Sequence, residues 1–196
     1  MSGLVISQDY GLVLLSAVVL ALQLILTTRY VAFARARAFT ADYYRRPGVK
    51  ALAEEHKKAT GEDKLPRSGY PDLGSGRFAD ELPYDAWLAL NNAQRAHYNY
   101  LEGFGPFIVF ILVGGLVFPR FCAAAAAVYA FGRELFSYMY TRSGANARLA
   151  GALFFDLALV AAFGAAIAAA WSLAGLPSVA ALLAGGATSP KPTWSW

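Results

Sequence analysis

The stretch NNAQRAHYNYLEGFGPFIVFILVGGLVFPR, Asn91 to Arg120, sets Arg95, His97, Asn99 and Glu102 at the head of a run otherwise apolar enough to enter a bilayer. Ionisable side chains at membrane depth are costly and by default mark a function. The apolar half, FIVFILVGGLVF, carries no charge at all. Gly103, Gly105 and Pro106 lie between the two halves, and a kinked helix over 86–118 is expected. At 1.5 Å per residue that helix is too long for one perpendicular crossing and must protrude.

The whole chain has the same character. It is 57% hydrophobic and 15% charged with a mean hydropathy of +0.41, against roughly a quarter charged in a typical soluble domain. The net charge of +4 comes mostly from the segment between Arg29 and Asp85. It therefore describes one polar connection, not a nucleic-acid-binding face, and no nucleic-acid partner is expected. One cysteine, Cys122, excludes an internal disulfide and a cysteine-based metal cluster. Its alanine-rich surroundings predict a buried small residue, and no metal site is expected.

On either side of the opening stretch the chain reads as further crossings. Tyr10 to Thr28 is apolar except for Ser16 and Gln23 and spans a hydrocarbon core about 30 Å thick. The first helix is drawn over 10–34, and the arginines at its end are expected to snorkel to the interface. No basic residue precedes this helix, so it is expected to be retained rather than removed as a signal peptide. Residues 47–85 are expected to form a long polar surface loop in which Val49 to Thr60 has the pattern of a short amphipathic helix. His56 there belongs to a solvated face. Helices over 121–141 and 149–173 complete the set, and their many alanines and glycines allow close helix approach. Residues 174–196 form a tail containing proline and tryptophan.

The fold class is therefore an all-α integral membrane protein, a four-transmembrane-helix bundle in a single domain with a long polar loop between the first two crossings. Thirteen basic residues fall on the side of the two polar connections, against Arg120 and Lys191 on the other. Both termini are accordingly expected on the non-cytoplasmic, or non-matrix, side.

On the second long helix Arg95, Asn99 and Glu102 stand at i, i+4 and i+7 and share a face, while His97 points elsewhere. On the third, Arg133, Phe136 and Tyr140 share a face at i, i+3 and i+7, with Arg148 shortly beyond. Arginines match carboxylates bidentately, a glutamate accepts from an ammonium, and an asparagine serves either. The set suits a small zwitterionic or multiply anionic ligand, and a peptide-like molecule fits. The plainer reading is that Arg95, Glu102, Arg133, Glu134 and Asp156 compensate one another inside the bundle.

The opening stretch, together with VYAFGRELFSYMY and TRSGANARLAGAL, resembles the MAPEG family, the membrane-associated proteins of eicosanoid and glutathione metabolism. The resemblance covers about Leu90 to Trp171, and its most specific element is R-A-H-x-N-x-x-E followed by a proline and then Pro119-Arg120. It implies a homotrimer of four-helix subunits in the endoplasmic reticulum or mitochondrial membrane, in contact with membrane lipid. Glutathione would be the co-substrate, conjugated to lipophilic electrophiles or used to reduce lipid hydroperoxides. Arg95, Asn99, Glu102, Arg133 and Tyr140 would bind glutathione, and Arg148 would act catalytically by stabilising its thiolate. Phe136 stands where the family usually has a tyrosine, and a carboxylate at Glu134 or Asp156 would oppose thiolate formation. The connection between the first two crossings is longer than the family's. These departures raise an alternative: an accessory subunit derived from this family, bound to unlike subunits in a larger membrane complex such as a respiratory one.

Overall fold

The computed structural model describes residues 6–177, so most of the tail, including Lys191, lies outside the described residues. Within this range the chain forms α1 (Tyr10–Ala38), α2 (Pro47–Thr60), α3 (Arg77–Asp80), α4 (Tyr84–Gly115), α5 (Pro119–Ser143) and α6 (Leu149–Leu173), and no strand. The helix read over 86–118 is α4 and continues through Pro106. The turn into α5 is short because Pro119, whose missing N–H costs nothing in a first turn, starts the next helix at once.

Helices α4 and α5 form the middle of the bundle, with α1 against one side and α6 against the other. Phe107 and Tyr129 stack at 3.7 Å between ring centroids and 7° between planes, fully buried beside Tyr100, Ile111 and Cys122. Helices α5 and α6 approach most closely where Gly132 meets Gly151, and a Cβ on Gly151 would strike the backbone of Phe136. Outward-facing residues such as Leu15, Val18, Ile25, Leu157 and Val160 are exposed. Both α1 and α6 are long and apolar enough to cross a membrane.

Helix α1 has almost no amphipathic pattern to orient it, and polar side chains do so instead. Tyr10 donates to the carbonyl of Leu112 at 3.1 Å, Gln23 Nε2 to that of Ala130 at 2.8 Å, and Tyr100 to Gln23 Oε1 at 2.8 Å. Thr27 Oγ1 lies 3.2 Å from His97 Nδ1, so His97 faces α1, away from Arg95.

The segment read as a polar loop is a folded cap. Phe39, Tyr43, Val49, Ala79, Leu82 and Leu90 bury one another between the end of α1 and the start of α4. Helix α2 occupies the stretch expected to be amphipathic and ends at Gly61, whose φ of 80° suits only glycine without strain. Arg35 does not snorkel. It is buried beneath the cap, donating to the carbonyls of Ser68 and Asp72 with its guanidinium 4.1 Å from the Tyr70 ring centre. Asp72 organises the rest: Oδ1 accepts from the N–H of Gly74 at 2.6 Å and of Gly76 at 2.9 Å, and Oδ2 from Ala79 at 2.8 Å. Burial opposes its charge, but these N–H groups outweigh it and hold the carboxyl below the ordinary carboxylate range.

Candidate functional site

Three helices contribute to one cleft. Helix α4 presents Arg95 and Asn99, α5 presents Phe136 and Tyr140, and the start of α6 presents Arg148, Ala152, Phe155 and Asp156 around a space of about 410 Å³. The i, i+4 spacing of Arg95 and Asn99 is what puts both on the wall of this cleft.

Behind that wall lies Arg133, 2% exposed. Its Nη1 donates to Asn99 Oδ1 at 2.6 Å and its Nη2 to the Tyr129 hydroxyl at 2.9 Å, while the guanidinium sits 3.7 Å from the centre of the Phe155 ring. Its Nε is buried without a partner. The charge is accommodated by three aromatic faces, those of Phe155, Tyr129 and Tyr100, rather than by a carboxylate. Gly103 makes room for it, since a Cβ there would collide with Nη2. Arg133 thus reaches the cleft through Asn99, whose oxygen it occupies and whose amide N–H groups it leaves available.

Arg148 immediately precedes α6 without capping it and donates from Nη1 to the Ala145 carbonyl at 2.8 Å, with its guanidinium 5.8 Å from the centre of the Tyr140 ring. Among the described residues neither Arg95 nor Arg148 forms an ion pair. Phe136 is buried with its ring 5.4 Å from Phe155 and 5.5 Å from Tyr140, so the absent hydroxyl is replaced by an edge of the aromatic core.

Two carboxylates fall differently from expectation. Glu102, about one turn beyond Asn99, is exposed and outside the cleft lining. Glu134 turns to α1, where it pairs with Arg29 and accepts from the Tyr30 hydroxyl at 2.7 Å. It does not face the cleft. Among the described residues no two of Arg95, Glu102, Arg133, Glu134 and Asp156 pair with each other; Glu134 is compensated instead by Arg29, from outside that set. Tyr129 and Phe155 are not foreseen in the sequence, and Asp156, read there only as a compensating charge or one opposing thiolate formation, lines the cleft. Asp156 had a signal, lying eight residues after Arg148 on the stripe that also carries Ala152.

The cleft is therefore rich in unshared positive charge, carries amide and phenol groups at its wall, and has one carboxylate on the α6 side. Such a donor set holds a small polyanionic or zwitterionic molecule. The family model of the MAPEG family matches residues 13–168, which include α4, α5 and nearly all of α6. With its two apolar spans this chain is an integral membrane protein, and it belongs to the MAPEG family.

Proposed function

We propose that the protein is a membrane-bound glutathione transferase or peroxidase acting on lipophilic electrophiles or lipid hydroperoxides. The observation that carries this reading is the pair Arg95 and Arg148, two guanidiniums in one cleft that have no ionic partner among the described residues, with Asn99 held in place by Arg133. At about 410 Å³ the cleft falls in the usual range for small-molecule sites. Within the family, the R-A-H-x-N-x-x-E pattern resembles that of microsomal glutathione S-transferase 3.

Glutathione supplies the nucleophilic thiol. Arg95 and the Asn99 amide would take its carboxylate groups, and Tyr140 would donate from the opposite wall. Arg148, at the positive end of the α6 dipole, would favour the thiolate over the thiol. A free thiol titrates near 8.5, so each unit of depression, about 1.4 kcal/mol, raises the thiolate fraction nearly tenfold at neutral pH. Exposed leucines and phenylalanines beside the cleft, among them Leu149 and Leu153, suit delivery of an apolar second substrate from the bilayer.

In this reading α1, α4, α5 and α6 each cross the membrane, with the cap on the cytoplasmic or matrix side of the endoplasmic reticulum or a mitochondrial membrane. Glutathione binds between the subunits of a homotrimer, whose neighbouring copy would cover the open side of the cleft and the exposed Glu102. The folded cap favours a second reading, an accessory subunit that docks unlike membrane subunits. One experiment separates the two. Purified protein in detergent is titrated with glutathione while the ultraviolet thiolate absorbance is followed. The enzyme reading expects saturable binding and a thiolate signal that disappears in Arg148→Ala; folded protein without either supports the accessory reading.

A further inference from the structure

We infer that a groove between the end of α1, the start of α4 and the end of α5 binds an anionic phospholipid from the leaflet on the cap side. Arg37 and Arg142 hold its phosphate, and an acyl chain runs below them along α5. The inference is independent of the glutathione reading, since this groove shares no lining residue with the cleft of Arg95 and Arg148.

The groove encloses about 340 Å³, and small side chains make the room. Ala86, Ala89 and Ala93 stand at i, i+3 and i+7 on one face of α4, opposite Ala34 and Ala38 of α1. Two arginines and no carboxylate complete the lining among the described residues. Both arginines lie in the last turns of their helices, α1 and α5, which end on the cap side. Helical side chains lean toward the N-terminus of their own helix, so both reach back toward the bilayer. The Arg142 guanidinium accordingly sits 5.9 Å from the centre of the Tyr138 ring, one turn nearer the membrane. The apolar run of α1 closes at Thr28, roughly 13 Å before Arg37, which brings a guanidinium leaning back to the headgroup layer and not into hydrocarbon. Two such cations also complement the negative ends of their helix dipoles, a role that asks for no ligand. That role does not call for the apolar hollow beneath them. Tyr138 lines a second space of about 230 Å³ with Phe131 and Leu135, reaching roughly 10 Å deeper along α5. Glu134 at its margin is engaged by Arg29 and Tyr30 and leaves the charge above unopposed. A basic pocket between membrane helices at headgroup level, adjoining an apolar one at acyl level, fits an anionic lipid. Guanidiniums match phosphate bidentately, and a zwitterionic head would bring its own cation against the second arginine.

The test titrates the full chain in detergent micelles with dioleoyl phosphatidylglycerol, dioleoyl phosphatidylcholine or glycerophosphate. Bound molecules are counted by native mass spectrometry, and thermal unfolding is followed in parallel. Wild type should prefer phosphatidylglycerol over phosphatidylcholine by roughly tenfold or more and should not respond to glycerophosphate at the same concentrations. Arg37→Gln and Arg142→Gln should each bind phosphatidylglycerol roughly fivefold more weakly, the effect of one cation near an anionic head. The double variant should no longer distinguish the two lipids, although it should melt like wild type without lipid. Ala89→Trp, which fills the groove with both charges in place, should lose the preference as well. Lys58→Gln, on the cap and outside the groove, should behave as wild type. Equal binding of the two lipids by wild type overturns the inference. A loss in Lys58→Gln as large as in the arginine variants also overturns it, assigning the preference to overall surface charge. An Ala89→Trp variant that keeps the preference removes the groove from it, and a wild type that binds glycerophosphate as well as the lipid makes this a site for a free phosphate instead.

Discussion

Arg133 Nη1 donates to Asn99 Oδ1 at 2.6 Å across the α4–α5 boundary, and this contact fixes the one neutral amide in the cleft wall. Arg133→Met removes it and leaves the half-buried Asn99 oxygen and the buried Tyr129 hydroxyl without a donor, at roughly 1–3 kcal/mol for the buried hydroxyl and less for the Asn99 oxygen, which water in the cleft can reach. Thermal unfolding in detergent should show that loss. Arg133→Lys keeps the charge but not the fork, so it should restore less than half of the stability. In both variants glutathione should bind roughly tenfold more weakly through the freed Asn99, with the titration of the bound thiol unchanged because Arg148 is untouched.

Gly151→Ala should be among the most damaging single substitutions. The added methyl meets Phe136 N and Cα and the Gly132 carbonyl, all backbone, so no side-chain rotation relieves it. Helices α5 and α6 must separate, and the cleft between them widens. A loss of roughly 1–3 kcal/mol or more in stability is expected. Gly164→Ala, where nothing lies within 4 Å, is the control and should be nearly silent.

Glu134→Gln should leave the titration of bound glutathione where it is, because Glu134 faces Arg29 and Tyr30 on α1. Its side chain and that of Arg29 are each 40% exposed, so the stability change should stay within about 1 kcal/mol. A shift in the thiol's titration of half a unit or more would mean that the carboxylate is felt in the cleft after all.

Asp72→Asn tests the cap. The folded carboxyl titrates below its ordinary value, so its contribution to stability is full above the ordinary range, near pH 4 and upward, and is lost as pH falls through the folded value. At neutral pH the variant should be less stable by roughly 1.5–3 kcal/mol, the value of hydrogen bonds to a charged group. The gap between wild type and variant should narrow steadily on acidification. Limited proteolysis between α2 and α3, followed across pH, reads the same difference locally.

Much of this architecture is legible in the residues. Four long apolar or charge-punctuated helices announce themselves, and the spacing of Arg95 with Asn99 and of Phe136 with Tyr140 identifies two walls of the cleft. Spacing gives the face of a helix but not where along its axis a cavity opens, and for that reason Glu102, on the face of Arg95 and Asn99, is outside the cleft lining while Asp156 is within it. The cap is hidden for a different reason. Its cohesion comes from six apolar residues scattered between Phe39 and Leu90, without a period, and from Arg35 and Asp72, which bond mainly to backbone. Nor does sequence reveal that aromatic faces, not a carboxylate, surround Arg133.

Tyr10, Gln23 and Thr27 touch the neighbouring helices at three levels spread over roughly 25 Å of α1. A smooth apolar rod among apolar rods has no preferred height, since sliding by one turn exchanges one leucine for another. Those three contacts act as notches that pin α1 both in height and in rotation. The same rod carries Arg35 at its far end, inserted under the cap, so the notches also set how the cap is seated on the bundle. An inserted or deleted residue between Gln23 and Arg35 would rotate the cap's anchor by about 100° relative to the bundle, although no residue of either would have changed.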